Sequence, residues 1–319
     1  MTDYDVFNGD ADGLCALLQL RSAEPRDATL VTGVKRDIKL LERVPAQQGD
    51  RVTVLDVSMD KNRTALLEVL AAGARVFYAD HHFAGDIPRR HNLLALINTQ
   101  PEMCTSMLVN DHLKGAFAGW AVVGAFGDNL LNSAAALAKP MHLSAAAMEQ
   151  LKNLGTYINY NGYGSNLEDL HFEPAVLYQR MRPYPDPFAF IQEGRADYEK
   201  LQQGYLEDMS AARSLQPQRA NASSAVFILP DAAWARRVSG VYSNDLANAS
   251  PARGHAVLTI KANGNYLVSV RAPLENRTGA DEFCMQFPSG GGRKAAAGIN
   301  DLPAAMLDQF IDRFSTWYA

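Results

Sequence analysis

The sequence has few cysteines for its 319 residues. Its three cysteines, Cys15, Cys104 and Cys284, lie far apart and form no Cys-X-X-Cys pair. Isolated cysteines argue against both a disulfide framework and a structural zinc site, and they suit a reducing compartment. The N-terminal residues 1–5 are acidic and run straight into a predicted strand, so we expect no signal peptide. These features favour a cytoplasmic protein.

The sequence also lacks a long apolar segment and an excess of positive charge. Its apolar uncharged run, Gly115 to Gly127, is too short to span a bilayer and is typical of a buried helix. The net charge is −5. A protein that follows long nucleic acid usually has a broad basic surface, because phosphate neutralisation supplies most of its affinity. A small or short phosphorylated partner is therefore easier to accommodate than a long duplex, and we expect no membrane partner.

Residues 1–140 alternate short apolar runs with helical patterns. The predicted strands are Asp5–Phe7, Thr29–Thr32, Arg51–Leu55 and Arg75–Ala79. This alternation predicts an α/β fold in which an open parallel sheet is covered by helices. In such sheets, ligands bind beyond the carboxyl ends of the strands. Asp10, Asp56 and the run Asp80-His81-His82 all follow predicted strands, so we expect them to meet at one sheet edge.

The rest of the chain predicts a helical connector and a smaller α/β domain. Residues 105–153 and 186–215 are predicted to be helical, the latter as one long helix, whereas residues 159–172 resemble a loop. After a polar linker, the remaining predicted elements are a strand at 225–229, a helix at 233–246, a hairpin of 255–260 with 266–271, a helix opened by Ser289 to Arg293, and a helix at 303–318. We expect two domains, residues 1–215 and 222–319, with a cleft between them.

Each polar group at the predicted sheet edge has an ordinary structural explanation when it is taken alone. Aspartates after strands commonly cap helices, and Asp10-Ala11-Asp12-Gly13 fits a tight turn. Several carboxylates at one edge, however, repel each other unless a cation neutralises them. Carboxylates with one or two imidazoles suit manganese, magnesium or iron, and two such ions can activate water and stabilise an in-line phosphoryl displacement. The pattern therefore predicts a metal-dependent phosphoesterase, a hydrolase acting on phosphoester bonds.

The order of these motifs resembles that of the DHH-family phosphoesterases. This family includes RecJ-type exonucleases, nano-RNases, pAp phosphatases and cyclic-dinucleotide phosphodiesterases. The four N-terminal motifs are matched by Asn8-Gly9-Asp10-Ala11-Asp12-Gly13, Val54-Leu55-Asp56-Val57-Ser58, Asp80-His81-His82 and Gly124-Ala125-Phe126-Gly127-Asp128-Asn129. The C-terminal part is similar to the DHH-associated domain of the first subfamily. Residues 266–271 resemble its strand ending in a substrate-binding arginine, and residues 290–298 resemble its GGGHxxAAG segment.

The resemblance implies roles for individual residues. The implied metal ligands are Asn8, Asp10, Asp12, Asp56, His81 and Asp128. The implied catalytic group comprises Asp56, which bridges or orients the metals, Asp80, and His82, which contacts the phosphate. The implied substrate-binding residues are Arg271, Gly290, Gly291, Gly292 and Arg293. The expected cofactor is Mn²⁺, with Mg²⁺ or another divalent metal as alternatives; the expected partner is a short nucleic acid or nucleotide, and a homodimer is left open.

Two departures from the family pattern concern this assignment. The small-substrate pattern HxxxDxD places its histidine at Tyr4 and its first aspartate at Asn8, so one of the two metal sites loses ligands. Asp12 could replace a lost ligand, and the centre is expected to hold one or two ions. Arg293 stands where the GGGH histidine is expected, and its planar guanidinium can grip a phosphate bidentately. The glycine run lets backbone amides approach an anion at a predicted helix N-terminus, although a simple packing turn is the alternative.

Three functions fit this sequence. The first is hydrolysis of short oligonucleotides, dinucleotides or nucleotide phosphates. The second is single-strand-specific exonuclease activity of the RecJ type, which needs an extended basic and aromatic channel that the acidic composition does not support. The third is a catalytically weak nucleotide or nucleic-acid binding module, which Tyr4 and Asn8 make conceivable.

Overall fold

The computed structural model describes residues 1–319, which divide into two units, Met1–Gln203 and Gly204–Ala319. The division falls inside the helix Arg195–Arg213, earlier than the polar linker that the sequence suggested. None of the helices combines the length and the apolar composition that crossing a bilayer requires. The expected functional boundary between residues 215 and 222 stays a prediction.

The sheet of the first unit is parallel throughout. Its strands are β1 (Asp3–Phe7), β2 (Thr29–Val31), β3 (Arg51–Leu55), β4 (Arg75–Asp80) and β5 (Leu93–Ile97). The strand order is β2-β1-β3-β4-β5, and every neighbouring pair is parallel. The predicted α/β class with a parallel sheet is confirmed. Strand β5 was not predicted; it is only partly buried and joins β4 without an intervening helix.

Nine helices accompany this sheet up to the end of the connector. They are α1 (Ala11–Ala23), α2 (Arg63–Ala71), α3 (Thr105–His112), α4 (Ala118–Gly127), α5 (Leu131–Ala138), α6 (Ala145–Gly162), α7 (Pro174–Met181), α8 (Pro187–Glu193) and α9 (Arg195–Arg213). The uncharged run forms the buried helix α4, as predicted. The side chains of Asp10 and Ser144 accept backbone N–H groups at the starts of α1 and α6, which stabilises both N-termini.

Two expectations for the connector were wrong. Residues 159–162 continue helix α6 instead of opening a loop, because this stretch is buried within the first unit. The long helix predicted over residues 186–215 is two helices, and the break falls at Gly194, between α8 and α9. Glycine weakens a continuous helix.

The second unit contains a six-stranded mixed sheet. Its elements are β6 (Arg219–Ala220), β7 (Ser224–Leu229), α10 (Ala233–Ala249), β8 (Gly254–Ile260), β9 (Tyr266–Arg271), α11 (Ala280–Cys284), β10 (Gly290–Arg293), β11 (Ala296–Leu302) and α12 (Leu307–Trp317). The order is β10-β11-β9-β8-β7-β6, in which only β7 and β8 pair in parallel. The predicted hairpin of β8 with β9 is confirmed.

The prediction that a helix begins at the glycine run was wrong. Gly290–Arg293 is strand β10, paired antiparallel with residues 296–299 of β11. Gly292 has φ +147°, and a Cβ added there would lie 2.4 Å from the Cα of Ala297. Glycine is therefore required at this position because the two strands approach closely. No helix dipole acts on an anion at this segment.

A buried ion pair connects the central strands with α1. Arg21 donates from Nε to Asp5 Oδ2 at 2.8 Å and from Nη2 to Thr53 Oγ1 at 2.8 Å. The side chains of Arg21 and Asp5 are only 2% and 1% exposed. Removal of one partner leaves the other charge buried without compensation.

We expect Asp5→Ala to lower the free energy of unfolding by about 3–5 kcal/mol, because Arg21 keeps an unpaired charge in the interior. The matched control is Asp3→Ala, which breaks the ion pair between Asp3 and Arg51. This pair is more exposed than the pair of Asp5 with Arg21, and its loss is expected to cost less than about 1 kcal/mol. Urea denaturation of both variants measures the difference. Equal losses of stability in the two variants would contradict this account of the buried pair.

Candidate metal centre

The polar residues predicted at the sheet edge meet at the carboxyl ends of β1, β3 and β4. Asn8 follows β1 and precedes Asp10, the N-cap of α1. Asp56 follows β3, and Asp80 is the last residue of β4. The chain leaves β1 for β2 on one side and then crosses to β3 on the other, so this edge contains the topological switch point at which open α/β sheets bind ligands.

His81 is oriented toward two aspartates. Its Nδ1 donates to the backbone oxygen of Met103 at 2.9 Å, which turns Nε2 toward the carboxylates. Nε2 lies 3.4 Å from Asp56 Oδ1 and 3.5 Å from Asp128 Oδ2. Metal-binding histidines commonly donate their other ring nitrogen to a carbonyl in this way. Bonds of about 2.0–2.2 Å put neighbouring ligands of one ion about 3 Å apart, so the distance from His81 to either aspartate fits a pair of ligands on one divalent ion.

The site contains two sets of potential metal ligands. Within each set, the ligand atoms all lie within 4.8 Å of one another. One comprises Asp56, His81 and His82, and the other comprises Asp12, His81 and Asp128. His81 belongs to both sets, and all of these residues except His82 are buried or partly buried. The structure therefore brings together the residues from four separate sequence motifs.

The electrostatics of the site favour a cation beside Asp56. Burial raises the pKa of Asp56 well above its usual range, and the charges of Asp10 and Asp12 raise it further. Burial lowers the pKa of His81, but its hydrogen bond to Asp56 and the charge of Asp128 outweigh burial and raise that pKa to about 11. Burial also raises the pKa of Asp128. This excess of negative charge is what a divalent ion would relieve.

Asp12 has a structural contact as well as its place in the cluster. Its two carboxylate oxygens accept the backbone N–H groups of Thr105 and Ser106, each at 2.7 Å. These are the first amides of α3, so Asp12 compensates unpaired donors and the positive end of that helix. Its implied role as a metal ligand stays a prediction.

Asp80 and His82 form a pair beside the cluster. His82 Nδ1 donates to Asp80 Oδ1 at 2.7 Å. The other oxygen of Asp80 is buried without a hydrogen-bond partner, whereas 45% of the His82 side chain is exposed. Asp80 therefore holds the ring of His82 while leaving its outer edge accessible.

The two residues that depart from the small-substrate motif have different positions. Tyr4 packs against the apolar core of the first unit and is remote from ligation. Asn8 is buried at the sheet edge, where its Oδ1 has no hydrogen-bond partner and its Nδ2 donates to the backbone oxygen of Lys35 at 3.2 Å. An unpaired buried oxygen is an available cation ligand.

Sequence reasoning missed Lys35 and Asn159. Lys35 Nζ forms an ion pair with Asp10, donates to Asn159 Oδ1 at 2.9 Å, and lies 3.6 Å from Asp128 Oδ1. Burial alone would raise the pKa of Asp10, but the charge of Lys35 outweighs burial and lowers it. Lys35 follows β2, the neighbour of β1, so the rule used for the other strands could have found it. Asn159 was hidden by its assignment to a loop.

Asp56 occupies an unusual backbone conformation. Its φ is +57°, in the left-handed region, and its amide donates to the oxygen of Ala79 at 3.0 Å. Left-handed backbone costs a residue with a Cβ about 1–2 kcal/mol, although Asp and Asn tolerate it best. Such strain is typical of functional positions that the surrounding structure holds in place.

The predicted substrate-binding residues lie together in the second unit. Arg293 of β10 pairs with Ala296 of β11, which pairs in turn with Arg271 of β9, so both arginine side chains are on one face of the sheet. Arg271 Nε donates to Asn244 Oδ1 on α10 at 2.8 Å. Arg293 is exposed, and its role in binding a substrate stays a prediction.

Comparison with known proteins identifies the fold. No protein-family model and no curated protein matches the chain. A crystal structure of the exonuclease RecJ bound to manganese is similar over 99% of this chain and 90% of that chain, with 20% identity and a TM-score of 0.64. A pGpG-specific phosphodiesterase, PggH from Vibrio cholerae, is similar over 99% and 98%, with 15% identity and a TM-score of 0.59.

A third structure, an exopolyphosphatase-related protein from Bacteroides fragilis, matches over 98% of this chain and 92% of that chain, with 13% identity and a TM-score of 0.51. At these identities the likeness shows the fold. The two-sheet α/β fold expected from the motifs is thus shared with these structures over nearly the whole chain, and residues from the four motifs meet in it.

We expect Mn²⁺ to raise the melting temperature, because an ion bound at about 100 times its Kd stabilises the folded state by about 2.7 kcal/mol. Asp56→Asn should lose most of this shift and keep the stability of the metal-free protein, since asparagine tolerates the left-handed backbone and removes a repelled charge. The matched control, Asp86→Asn, changes an exposed aspartate soon after the histidine pair. Thermal unfolding with and without Mn²⁺ measures all three proteins; an undiminished shift in Asp56→Asn would refute the assignment.

Proposed function

We propose that this chain is a metal-dependent phosphoesterase of the DHH type, acting on short oligonucleotides, dinucleotides or nucleotide phosphates. The observation that carries the proposal is the position of His81 Nε2, 3.4 Å from Asp56 and 3.5 Å from Asp128, at the ligand-binding edge of a parallel sheet. The fold supports it, since RecJ is an exonuclease and PggH a phosphodiesterase.

The roles of the residues in the first unit follow from their contacts. Mn²⁺ or Mg²⁺ would be held by Asp56, His81 and Asp128, with further oxygens available from Asn8, Asp10 and Asp12. Such an ion activates water and neutralises charge on the phosphoryl oxygens. Oxygen-rich ligands with one imidazole suit these ions.

His82 is proposed to bind the substrate phosphate. With Nδ1 donating to Asp80, the ring in its imidazolium form can donate a second hydrogen bond from its exposed Nε2 to a phosphoryl oxygen. Asp80 acts through His82 as a positioning residue, since its carboxylate fixes the ring orientation. Phe83 follows directly and is 72% exposed, so it offers one aromatic face for stacking a base.

The second unit is proposed to bind the phosphate or carboxylate group of the substrate. Arg271 and Arg293 lie on the same face of its sheet, and guanidinium groups bind such anions bidentately. A side chain at Gly291 would meet no atom within 4 Å, so protein packing does not require a glycine there. The backbone N–H of Gly290 donates to the oxygen of Phe287 at 3.1 Å, so the contact of backbone amides with an anion is proposed for Gly291 and Gly292, without any helix dipole.

Short substrates are favoured over long ones. A net charge of −5 supplies little long-range attraction for a polyanion.

The unpaired cysteines Cys15, Cys104 and Cys284 are all buried, which suits activity in a reducing cytoplasm.

We expect Mn²⁺-dependent hydrolysis that Asp128→Asn lowers by about 10²-fold or more, because a lost metal ligand removes several kcal/mol of transition-state stabilisation. Asp86→Asn serves as the control and should retain full turnover. The assay compares pAp, cyclic dinucleotides and single-stranded oligomers of increasing length, from dinucleotides upward.

Each outcome of this assay separates the three candidate functions. Turnover that is highest on the shortest substrates supports the proposal, whereas rates that rise steadily with length favour a RecJ-type exonuclease. Binding of nucleotides without any turnover in Mn²⁺ indicates a binding module. Full activity after exhaustive chelation excludes a metal-dependent reaction.

For the arginine pair, Arg293→Lys should raise KM by about tenfold with little change in unfolding free energy, since it keeps the charge and loses the bidentate fork, worth about 1.5 kcal/mol. Arg293→His, which restores the family residue, should change the preferred substrate. Arg277→Lys, an exposed arginine elsewhere in this unit, is the control. Steady-state kinetics over the same substrates measure the effect, and unchanged kinetics in both Arg293 variants would show that Arg293 contacts no substrate.

A further inference from the structure

A lysine ammonium lies inside the proposed metal centre. Lys35 Nζ pairs with Asp10, donates to Asn159 Oδ1 at 2.9 Å, and is 3.6 Å from Asp128 Oδ1. Only 23% of its side chain is exposed. Its partners are two of the carboxylates that the proposed function assigns to the metal.

The main chain of Lys35 is fixed on both sides. Its backbone N–H donates to the oxygen of Gly162 at the end of α6 at 2.8 Å, and its backbone oxygen accepts from Asn8 Nδ2 at 3.2 Å. The ammonium also lies 5.4 Å from the centre of the Tyr163 ring, within the range of a cation–π contact. The position of Lys35 is therefore part of the fold and differs from that of a mobile surface lysine.

Asn8 and Lys35 form a matched pair. The carboxylate that the small-substrate motif has at this position could not donate a hydrogen bond to the Lys35 backbone oxygen and would repel it. The amide of Asn8 supplies that donor and removes one negative charge from the cluster. The loss of a carboxylate at position 8 and the presence of an ammonium at position 35 thus have one explanation.

The oxygens of the cluster are divided between two sides. Asp128 presents Oδ1 to Lys35 and Oδ2 to His81. Asp10 presents Oδ2 to Lys35, while its Oδ1 accepts the amides of Asp12 and Gly13, each at 3.1 Å. The ammonium therefore occupies one side of the cluster, and Asp56, His81 and the second oxygen of Asp128 define the other.

Lys35 already supplies a positive charge where a second ion would bind. Its ammonium pairs with Asp10 and lies 3.6 Å from Asp128 Oδ1. A second divalent ion held by these two carboxylates would have to displace the ammonium, because two cations repel each other strongly at such short range.

We propose that Lys35 takes the place of a second metal ion, so that the centre binds one divalent ion per chain. This inference rests on the proposed function, because it assumes the metal centre at Asp56, His81 and Asp128. It also answers the question that Tyr4 and Asn8 raise: a fixed cation from the protein makes a second set of metal ligands unnecessary.

The experiment is a count of bound Mn²⁺ on the full chain, independent of activity. Equilibrium dialysis with elemental analysis gives the stoichiometry, and electron paramagnetic resonance distinguishes an isolated Mn²⁺ from an exchange-coupled pair. We expect about one isolated ion in the unmodified protein and a rise toward two in Lys35→Met, because the freed oxygens of Asp10 and Asp128 become ligands. Lys35→Arg, which keeps the charge, and Lys39→Met, which removes a lysine paired with Glu42 on the surface, should both stay at one.

The unmodified protein decides the inference even if Lys35→Met fails to fold. Two coupled ions in the unmodified protein would overturn the role of Lys35 and leave the proposed phosphoesterase intact. No bound ion at millimolar Mn²⁺ would overturn the metal centre itself and, with it, this inference. One ion in both the unmodified protein and a folded Lys35→Met would show that the ammonium does not exclude the second ion.

Discussion

The mutual repulsion of carboxylates at one edge of a parallel sheet is the constraint around which the first unit is arranged. In a partly desolvated site, like charges a few ångströms apart interact far more strongly than in water, and each must find a compensating partner. Asp12 has the amides of α3, Asp10 has Lys35, and Asp80 has His82. Asp56 has His81, His82 and the hydroxyl of Thr105 beside it but no lysine or arginine, so its charge has the least compensation. A cation binds where the protein leaves compensation incomplete.

The same compensation explains why neighbouring elements take their positions. The N-terminus of α3 is held against the sheet edge by Asp12, and the end of α6 is held through Gly162, whose oxygen accepts the amide of Lys35. The backbone of Asp56 is kept in a left-handed conformation by its strand environment. Helices α3 and α6 thus contribute backbone groups to the centre, the first amides of α3 and the oxygen of Gly162.

The second unit, and not the metal centre of the first, is expected to select the substrate. Solved structures with this fold include an exonuclease, a phosphodiesterase specific for pGpG and an exopolyphosphatase-related protein, so the fold alone does not select the substrate. Here the selection is expected to depend on Arg271 and Arg293, which share a face of the second sheet. Their spacing is set by the register of three strands, and the glycine at position 292 permits the close pairing that places Arg293.

The sequence by itself determined the α/β class, the parallel sheet and the residues of the motifs, because strand periodicity and the placing of polar groups after strands are local properties of the chain. It did not reveal β5 or the strand at Gly290–Arg293, since each is defined by its pairing with a neighbouring strand, nor the break at Gly194 between α8 and α9. The position of Lys35 after β2 could have been noticed, but its contact with Asn159 could not: the two residues are separated by 124 residues and meet because α6 packs against α1 and α4. Local chemistry names the carboxylates, but only the tertiary structure decides which of them a protein cation already neutralises.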